Sequence, residues 1–549
     1  MNYSIKLYAK IIFEFMFFAF VCICIYYFVR TEDNIYYWDF KEYYVKFFNL
    51  SNLLHANIYL FIDQCRSSIA ADDYNLSSVI LPSLFSSFGV NRLNYIYYIY
   101  ILYCIPSVVF ISKLLSKNKS IFYYVFVFVT VVLYTPFLAP VLRGYPDICG
   151  ILPFIIFMLY FFNSDVHTKI NFKFMVVIGV ILYIPFLFRR WYIYNIFSFY
   201  ISFFVVNILW HRKKYYIINV ICNITISGMT TLLLMFAFQY FLLLRIIETD
   251  YTYSYSAYSS TLLTSITNIC DRFPLIFLLM FFVSCIFLVA KKDKLGIFCL
   301  ISIIILISTF IKTQDFDVHH FLPVSMLFII ILLWQIYYIK SEKIALFVLF
   351  FVSIISFVNF QSTFFNKYTT PFVTQKYKLL PLKHNNYCSL LNLCNKIISL
   401  NSVKYAKISF FSSSDILNES MIETIIGNGI IRNTSQVDRR DGIAIDSLFS
   451  KYVVITDNSQ THLGGNNQYV ITIPNEKIFN HIGIGKSYKR LSGPYALSNN
   501  CSAYIYEKIK TFDNDEISDY LSSFPEDKIN WPNKPSRQNI IELEKILYK

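Results

Sequence analysis

Apolar residues fall in long blocks through the first two-thirds of this chain, with polar residues confined to the gaps between them. A helix needs about 20 residues to cross the hydrocarbon core of a bilayer. Runs near that length lie at 11–30, 94–112, 121–142, 148–163, 174–188, 196–210, 217–244, 274–290, 296–311, 321–339 and 344–360, which predicts about eleven transmembrane helices. The runs at 148–163 and 174–188 are short. After about residue 366 the pattern changes to that of an α/β module. Residues 406–411, 452–456, 469–473 and 503–507 read as short strands, and 416–426 has helical spacing. The tail from 512 to 549 is charged, carries Pro525, Pro532 and Pro535, and closes on an amphipathic run at 540–547. A peripheral helix or a partly disordered end is expected there. The chain thus divides into a transmembrane domain, 1–366, and a polar domain, 367–549.

The gaps between the apolar runs alternate in kind, and that alternation predicts topology. One set is compact and basic: Lys113, Lys117 and Lys119; Lys169 and Lys173; His211-Arg212-Lys213-Lys214; Lys291-Lys292-Asp293-Lys294; Lys340 and Lys343. Short loops rich in Lys and Arg stay in the cytoplasm, which places the amino terminus there too, with Lys6 and Lys10. The run at 11–30 is long and no small-residue cleavage site follows it, so it reads as a retained span. The other set of gaps then faces outward, and an odd number of spans sends the carboxyl-terminal domain to the same side.

Composition agrees with that class. The 549 residues are 56% hydrophobic and 15% charged, with a mean hydropathy of +0.50, which excludes an ordinary soluble domain. The net charge of +14 arises largely in the basic gaps, so it argues for topology and against nucleic-acid binding. The 12 cysteines show no paired metal-ligand spacing and most sit in apolar runs; Cys388, Cys394 and Cys501 lie in the polar domain, where a disulfide between two of them is conceivable if it is exported.

The outward gaps hold the unusual polar residues. Asp39 stands in Tyr36-Tyr37-Trp38-Asp39-Phe40-Lys41-Glu42, a carboxylate among rings that favour the headgroup level, where a lipid-borne substrate presents its polar head; the plain alternative is a headgroup-level anchor in an ordinary loop. Asp147 follows Arg143-Gly144-Tyr145-Pro146 at the start of a span, where it also suits a helix N-cap. Arg189-Arg190-Trp191 runs against the charge bias of its side, and adjacent guanidinium forks suit a phosphate; the plain alternative is two side chains snorkelling to lipid headgroups. His319 and His320 follow Asp315 and Asp317, but neighbouring helical side chains point about 100° apart, so substrate or phosphate contact suits them better than one metal; the plain alternative is structural packing.

These features resemble the polyprenyl-phosphate-sugar-dependent integral-membrane glycosyltransferases of the GT-C fold, among them the bacterial relatives of protein mannosyltransferases and the lipid A aminoarabinose transferase. The likeness rests on an aromatic first outer gap with an Asp, a second with another Asp, an Arg-bearing one near mid-chain, and Asp317-Val318-His319-His320-Phe321-Leu322-Pro323 opening a late span. The stretches 452–457, 460–463, 468–471 and 503–508 are similar to the exported domain of some bacterial members. The resemblance implies Asp39 as the general base on an acceptor hydroxyl and Asp147 as the acid that orients acceptor or base. Many relatives carry a paired Asp-Glu at the first position; this chain has Trp38-Asp39-Phe40, which leaves Glu42 as a second candidate. Trp38, Arg143, Arg189, Arg190, Trp191, Asp315, His319 and His320 are the expected substrate-binding residues, with no metal and no cofactor. The partners implied are a polyprenyl-phosphate-linked sugar, a glycan or lipid-linked acceptor and the membrane lipids, at a bacterial inner membrane with the C-terminal domain periplasmic.

Two rival classes fit the composition. O-antigen polymerases and ligases also act on polyprenyl-linked sugars, but usually carry a large mid-chain outer loop and lack a long exported C-terminal domain. A transporter or flippase predicts ionisable residues deep within the spans and an internal repeat, and neither is visible.

Overall fold

The computed structural model describes residues 3–162, 164–367, 369–404, 407–427 and 429–530, with 538, 540–542 and 544. It divides into two compact units, one comprising Met1–Arg30, Glu42–Thr249 and Ser260–Pro381, the other Thr31–Lys41, Asp250–Ser259 and Leu382–Lys549.

The first unit is helical, as apolar segments must be where no water satisfies the backbone. Among the described residues, five helices are long and apolar enough to cross a membrane: Lys10–Arg30, Arg92–Leu115, Arg190–Trp210, Lys214–Glu248 and Glu342–Phe365. Two bent pairs raise the number to seven if each is one span, Ile121–Val132 with Thr135–Arg143 (43°) and Leu262–Cys270 with Leu275–Ala290 (108°). This is the pattern of a multi-pass membrane protein with fewer spans than the eleven expected. The difference lies in Pro146–Phe161, Phe172–Phe188, Lys294–Phe310 and Leu322–Tyr337, which are apolar but shorter than a full crossing. Proline shapes the breaks: Pro136 follows the Tyr134 cap of the second helix of one pair, and Pro274 caps that of the other.

Helix Leu322–Tyr337 is the centre of this unit, buried on nearly every side, which is why its sequence shows no polar stripe. Buried polar groups tie the helices to the segment that follows the last span. Asn359 Nδ2 donates to Thr135 Oγ1 (2.9 Å), and Asn359 Oδ1 accepts from the Gln375 backbone N–H (2.8 Å). The first gap expected to face outward is not a loop: it holds the helices Trp38–Ala56, Ile58–Ala71 and Ser77–Leu84.

The second unit carries a five-stranded sheet of β1 (Ile408–Phe410), β2 (Ile431–Arg432), β3 (Tyr452–Thr456), β4 (Tyr488–Ala496) and β5 (Ser502–Lys508), in the order β2-β1-β3-β5-β4. β1 lies parallel to β2 and β3, whereas β5 runs antiparallel to β3 and β4. β1 and β3 are buried throughout, matching their largely apolar sequences, with Ser409 the polar residue inside β1. The expected strands at 406–411, 452–456 and 503–507 are present as β1, β3 and β5, with Ala406 outside the described residues.

The expected strand at 469–473 is instead the start of helix Tyr469–Phe479. Its buried positions, Val470, Ile471, Pro474 and Ile478, follow helical spacing, and Asp438 Oδ1 accepts from the Val470 N–H (3.0 Å) at the helix start. Helix Glu419–Ile426 begins three residues later than its periodicity suggests, because the Asn418 side chain caps it at Met421 N–H. All twelve cysteines are free thiols, so none of Cys388, Cys394 and Cys501 is bridged. Half of the amphipathic run at 540–547 lies outside the described residues, but 540–542 and Glu544 are described. Glu544 pairs with the fully buried Lys508 (2.8 Å), whose ammonium also lies over the Phe512 ring.

Candidate functional site

In the first unit, Asp147 and Arg189 are the nucleus of a buried cluster at helix ends. Asp147 sits within the turn Pro146–Gly150, and Arg189 directly follows helix Phe172–Phe188. Arg189 Nε lies 3.1 Å from Asp147 Oδ1, with side-chain exposures of 4% and 0%. The expected N-cap role of Asp147 is not what its carboxylate does. Oδ1 takes Arg189 and also the Trp191 indole N–H (3.2 Å), and the Asp147 carbonyl accepts from Tyr192 Oη (2.6 Å). The Arg189 guanidinium lies 4.8 Å from the rings of both Tyr43 and Tyr74, faces that favour a cation where water is scarce.

Arg190 turns to a different carboxylate. Its Nη1 lies 2.6 Å from Asp73 Oδ2, and Arg245 Nη1 lies 3.3 Å from Asp73 Oδ1, so two arginines share one acid. The adjacent pair is therefore not one fork: each guanidinium is aimed by its own acid. Sequence reading missed Asp73 as a partner, and its only signal is the short polar stretch Asp72-Asp73-Tyr74 between apolar runs.

The histidines join the same cluster through their rings. His319 stacks on Tyr145 with centroids 4.4 Å apart and planes 19° from parallel, and His320 meets Trp191 edge-on at 5.2 Å. His319 Nδ1 lies 3.5 Å from Asp317 Oδ2. Asp315 instead accepts from the Ser265 hydroxyl. Arg143 donates to the Leu380 carbonyl (3.3 Å), and its own carbonyl accepts from Arg92 (2.5 Å). The Arg92 guanidinium passes so close to Gly144, at φ +88°, that a side chain there would strike it. Glu42 is more than half exposed and pairs with Lys46 (3.5 Å). No group of three or more His, Cys, Asp or Glu with metal-binding geometry occurs among the described residues.

Asp39 belongs to the second unit, in the first turn of helix Trp38–Ala56, where a carboxylate complements the helix dipole. Two contacts pin its segment to helix Glu419–Ile426: Lys41 Nζ to Glu423 Oε2 (2.5 Å) and Thr424 Oγ1 to the Tyr36 carbonyl (2.5 Å). Trp38 has φ +49°, a conformation rare for a bulky residue, and its ring lies 4.8 Å from that of His462. Tyr258 approaches His462 from another segment, at 6.0 Å, and its hydroxyl accepts from Arg440 Nη1 (2.8 Å). Arg440 in turn makes a two-point contact with Asp441 (2.7 and 3.0 Å). Burial raises the Tyr258 phenol to about 12; Arg440 opposes the rise, and the charges of Asp441, Tyr255 and Asp39 add to it.

His462 lies beyond the carboxyl end of β3, and Ser413 beyond that of β1. Connections leave β1 toward β2 on one side while β3 lies on the other, so this is the switch point of the parallel strands, the usual ligand position in open α/β sheets. His462 Nδ1 is 3.0 Å from Ser413 Oγ and 3.1 Å from Gln468 Nε2. The network continues from Ser413 to Gln436 (3.2 Å) and from Gln436 to Glu419 (3.0 Å). Burial keeps His462 below its ordinary value, with Arg440 adding to that effect, so the ring is neutral at pH 7.

Burial likewise pushes the Glu419 carboxyl up to about 7, against the pull of hydrogen bonds from Thr434 and Gln436. The folded chain then holds this proton in a range where the unfolded chain has released it. The resulting stability is full below about pH 4.5 and is lost as pH rises to about 7. Thermal unfolding of the purified chain between pH 4.5 and 8 is expected to show that decline, on the order of 1 kcal/mol or more. Glu419→Gln should flatten it; an equally steep decline in that variant assigns the proton elsewhere.

No protein-family model matches this chain, and no curated protein matches it significantly.

Proposed function

We propose that this chain is a membrane glycosyltransferase that moves a sugar from a polyprenyl (undecaprenyl) phosphate to a cell-surface glycan or lipid-linked acceptor. The observation that carries this reading is the buried Asp147–Arg189 pair, held against Trp191, Tyr43 and Tyr74 at helix ends of a membrane protein. Burying a guanidinium is costly, and aiming it with a carboxylate and two aromatic faces is a way to present a fixed cation to a lipid-borne anion.

A sugar joined to a lipid phosphate already has a leaving group, so little protonation is needed for it to depart. Arg189 and Arg190 offset the charge that develops on the departing phosphate. Asp39 is assigned the base that takes the proton of the incoming hydroxyl, and Asp147 keeps Arg189 in place. A single displacement at the anomeric carbon inverts its configuration. Within the first unit, Trp191 and the Tyr145–His319 stack offer flat faces suited to sugar rings. The membrane is proposed to be the bacterial inner membrane, with the amino terminus cytoplasmic and the C-terminal domain periplasmic.

The test is chemical. Surface glycans and lipid-linked oligosaccharides from bacteria with and without this chain are compared by mass spectrometry, and a mass difference of one sugar is expected. Identical glycans in both strains, with the chain present in the membrane, reject the proposal.

A further inference from the structure

A groove of about 1040 Å³ opens in the membrane unit between helices Tyr3–Arg30, Ile121–Val132 and Glu342–Phe365. Phe13, Phe17, Phe122, Val129, Phe350 and Phe357 line it, and its polar residues are Ser120 and Ser353. Ser353 is occupied within the protein by Thr130 and by the Phe126 and Leu349 carbonyls, and Ser120 caps its own helix at Tyr123 N–H. The walls therefore suit hydrocarbon. From Ile121 to Leu133 they extend roughly 18 Å along the helix, more than half of a bilayer core of ~30 Å.

The charges at one end of this groove say what kind of chain enters it. All three helices meet a lysine at the same end, that of the basic gaps. Lys10 precedes Phe13 and Phe17 by three and seven residues, which places it on their stripe. Lys343 precedes Phe350 and Phe357 by seven and fourteen, again on one stripe. Lys119 immediately precedes Ser120. Lys10 Nζ lies 3.8 Å over the Tyr124 ring and Lys119 Nζ 5.6 Å over that of Tyr123, so both reach the first turn of helix Ile121–Val132. Two carboxylates stand at this end as well: Glu14, which takes Lys10 (3.8 Å) and the Tyr124 hydroxyl, and Glu342 beside Lys343. Helices Ile121–Val132 and Glu342–Phe365 also begin here, and their amino ends favour an anion.

We propose that the groove is a binding site for one anionic phospholipid, with an acyl chain along the aromatic walls and its phosphate among Lys10, Lys119 and Lys343. A polyprenyl phosphate serving the proposed transfer would present its phosphate to Arg189, in a gap of the opposite class from these lysines. The site is therefore distinct from the donor's and does not depend on the transferase reading.

The experiment uses the full chain, purified in detergent and stripped of lipid, with native mass spectrometry as the readout. It is offered palmitoyl-oleoyl phosphatidylglycerol, the matching phosphatidylcholine, or undecaprenyl phosphate. One retained phosphatidylglycerol per chain is expected, favoured over phosphatidylcholine by about tenfold, since a basic side chain near an anionic headgroup contributes appreciably to binding. Replacing Lys10, Lys119 and Lys343 together by Gln should abolish the preference while chain binding persists. Val129→Trp, which fills the groove, should reduce retention of both phospholipids. Equal retention of the two by the wild-type chain overturns the proposal, and so does displacement of phosphatidylglycerol by equimolar undecaprenyl phosphate in the triple-Gln-sensitive site.

Discussion

Replacing Arg189 by Met is expected to destabilise the purified chain by about 3–5 kcal/mol, because it leaves the Asp147 carboxylate buried without its cation. The same logic makes Asp147→Asn costly, since the guanidinium then loses its carboxylate. The combined variant Asp147→Asn/Arg189→Met removes both charges and should recover most of the lost stability, giving a large coupling in the double-mutant cycle. Sugar transfer should not return with it, because the cation is still missing from the place where phosphate charge develops. Thermal unfolding in detergent reads the first half of this expectation and a transfer assay the second. Additive stability losses would show that the pair is not the unit described here. Recovery of transfer along with stability would make Arg189 a structural residue only.

That pair shows how far sequence reading reaches. The two charges are recognisable as outliers, because Asp147 opens an apolar run and Arg189-Arg190 lies in a gap whose expected side disfavours basic residues. Their engagement was not recognisable. Forty-two positions and two helices, Ile151–Phe161 and Phe172–Phe188, separate them, and nothing in the local pattern says that Arg189 goes to Asp147 while Arg190 goes to Asp73. The apolar runs were equally visible, but length alone sorted them poorly. Helix Leu322–Tyr337 is apolar because protein surrounds it, and composition does not distinguish that environment from lipid.

The polar domain repeats the lesson on a smaller scale. β1 and β3 are legible because strands buried on both faces need largely apolar runs. Tyr469-Val470-Ile471-Thr472-Ile473 has the same appearance and forms a helix, since Asp438, distant in sequence, takes an N–H at its start. Trp38 is a further case: its aromatic neighbours were evident, whereas its positive φ and its approach to His462 depend on a segment more than four hundred residues away.

Asp39→Asn is expected to lower sugar transfer by about 10²–10⁴-fold, the range for removing a general base, while leaving the chain folded. The amide keeps the shape of the carboxylate and its place in the first helical turn, but it does not accept a proton from the acceptor hydroxyl. Glu42→Gln is the matched control. Glu42 lies one turn along the same helix, is more than half exposed and is engaged by Lys46, so its loss should change transfer by only a few-fold. Both variants are assayed in proteoliposomes holding the lipid-linked donor, with release of polyprenyl phosphate and appearance of product followed together. Donor cleavage in the absence of acceptor separates the roles: losing the base slows transfer to the hydroxyl without restoring hydrolysis. Equal losses in the two variants would move the base to Glu42 or to neither, and a fully active Asp39→Asn enzyme would remove Asp39 from the mechanism.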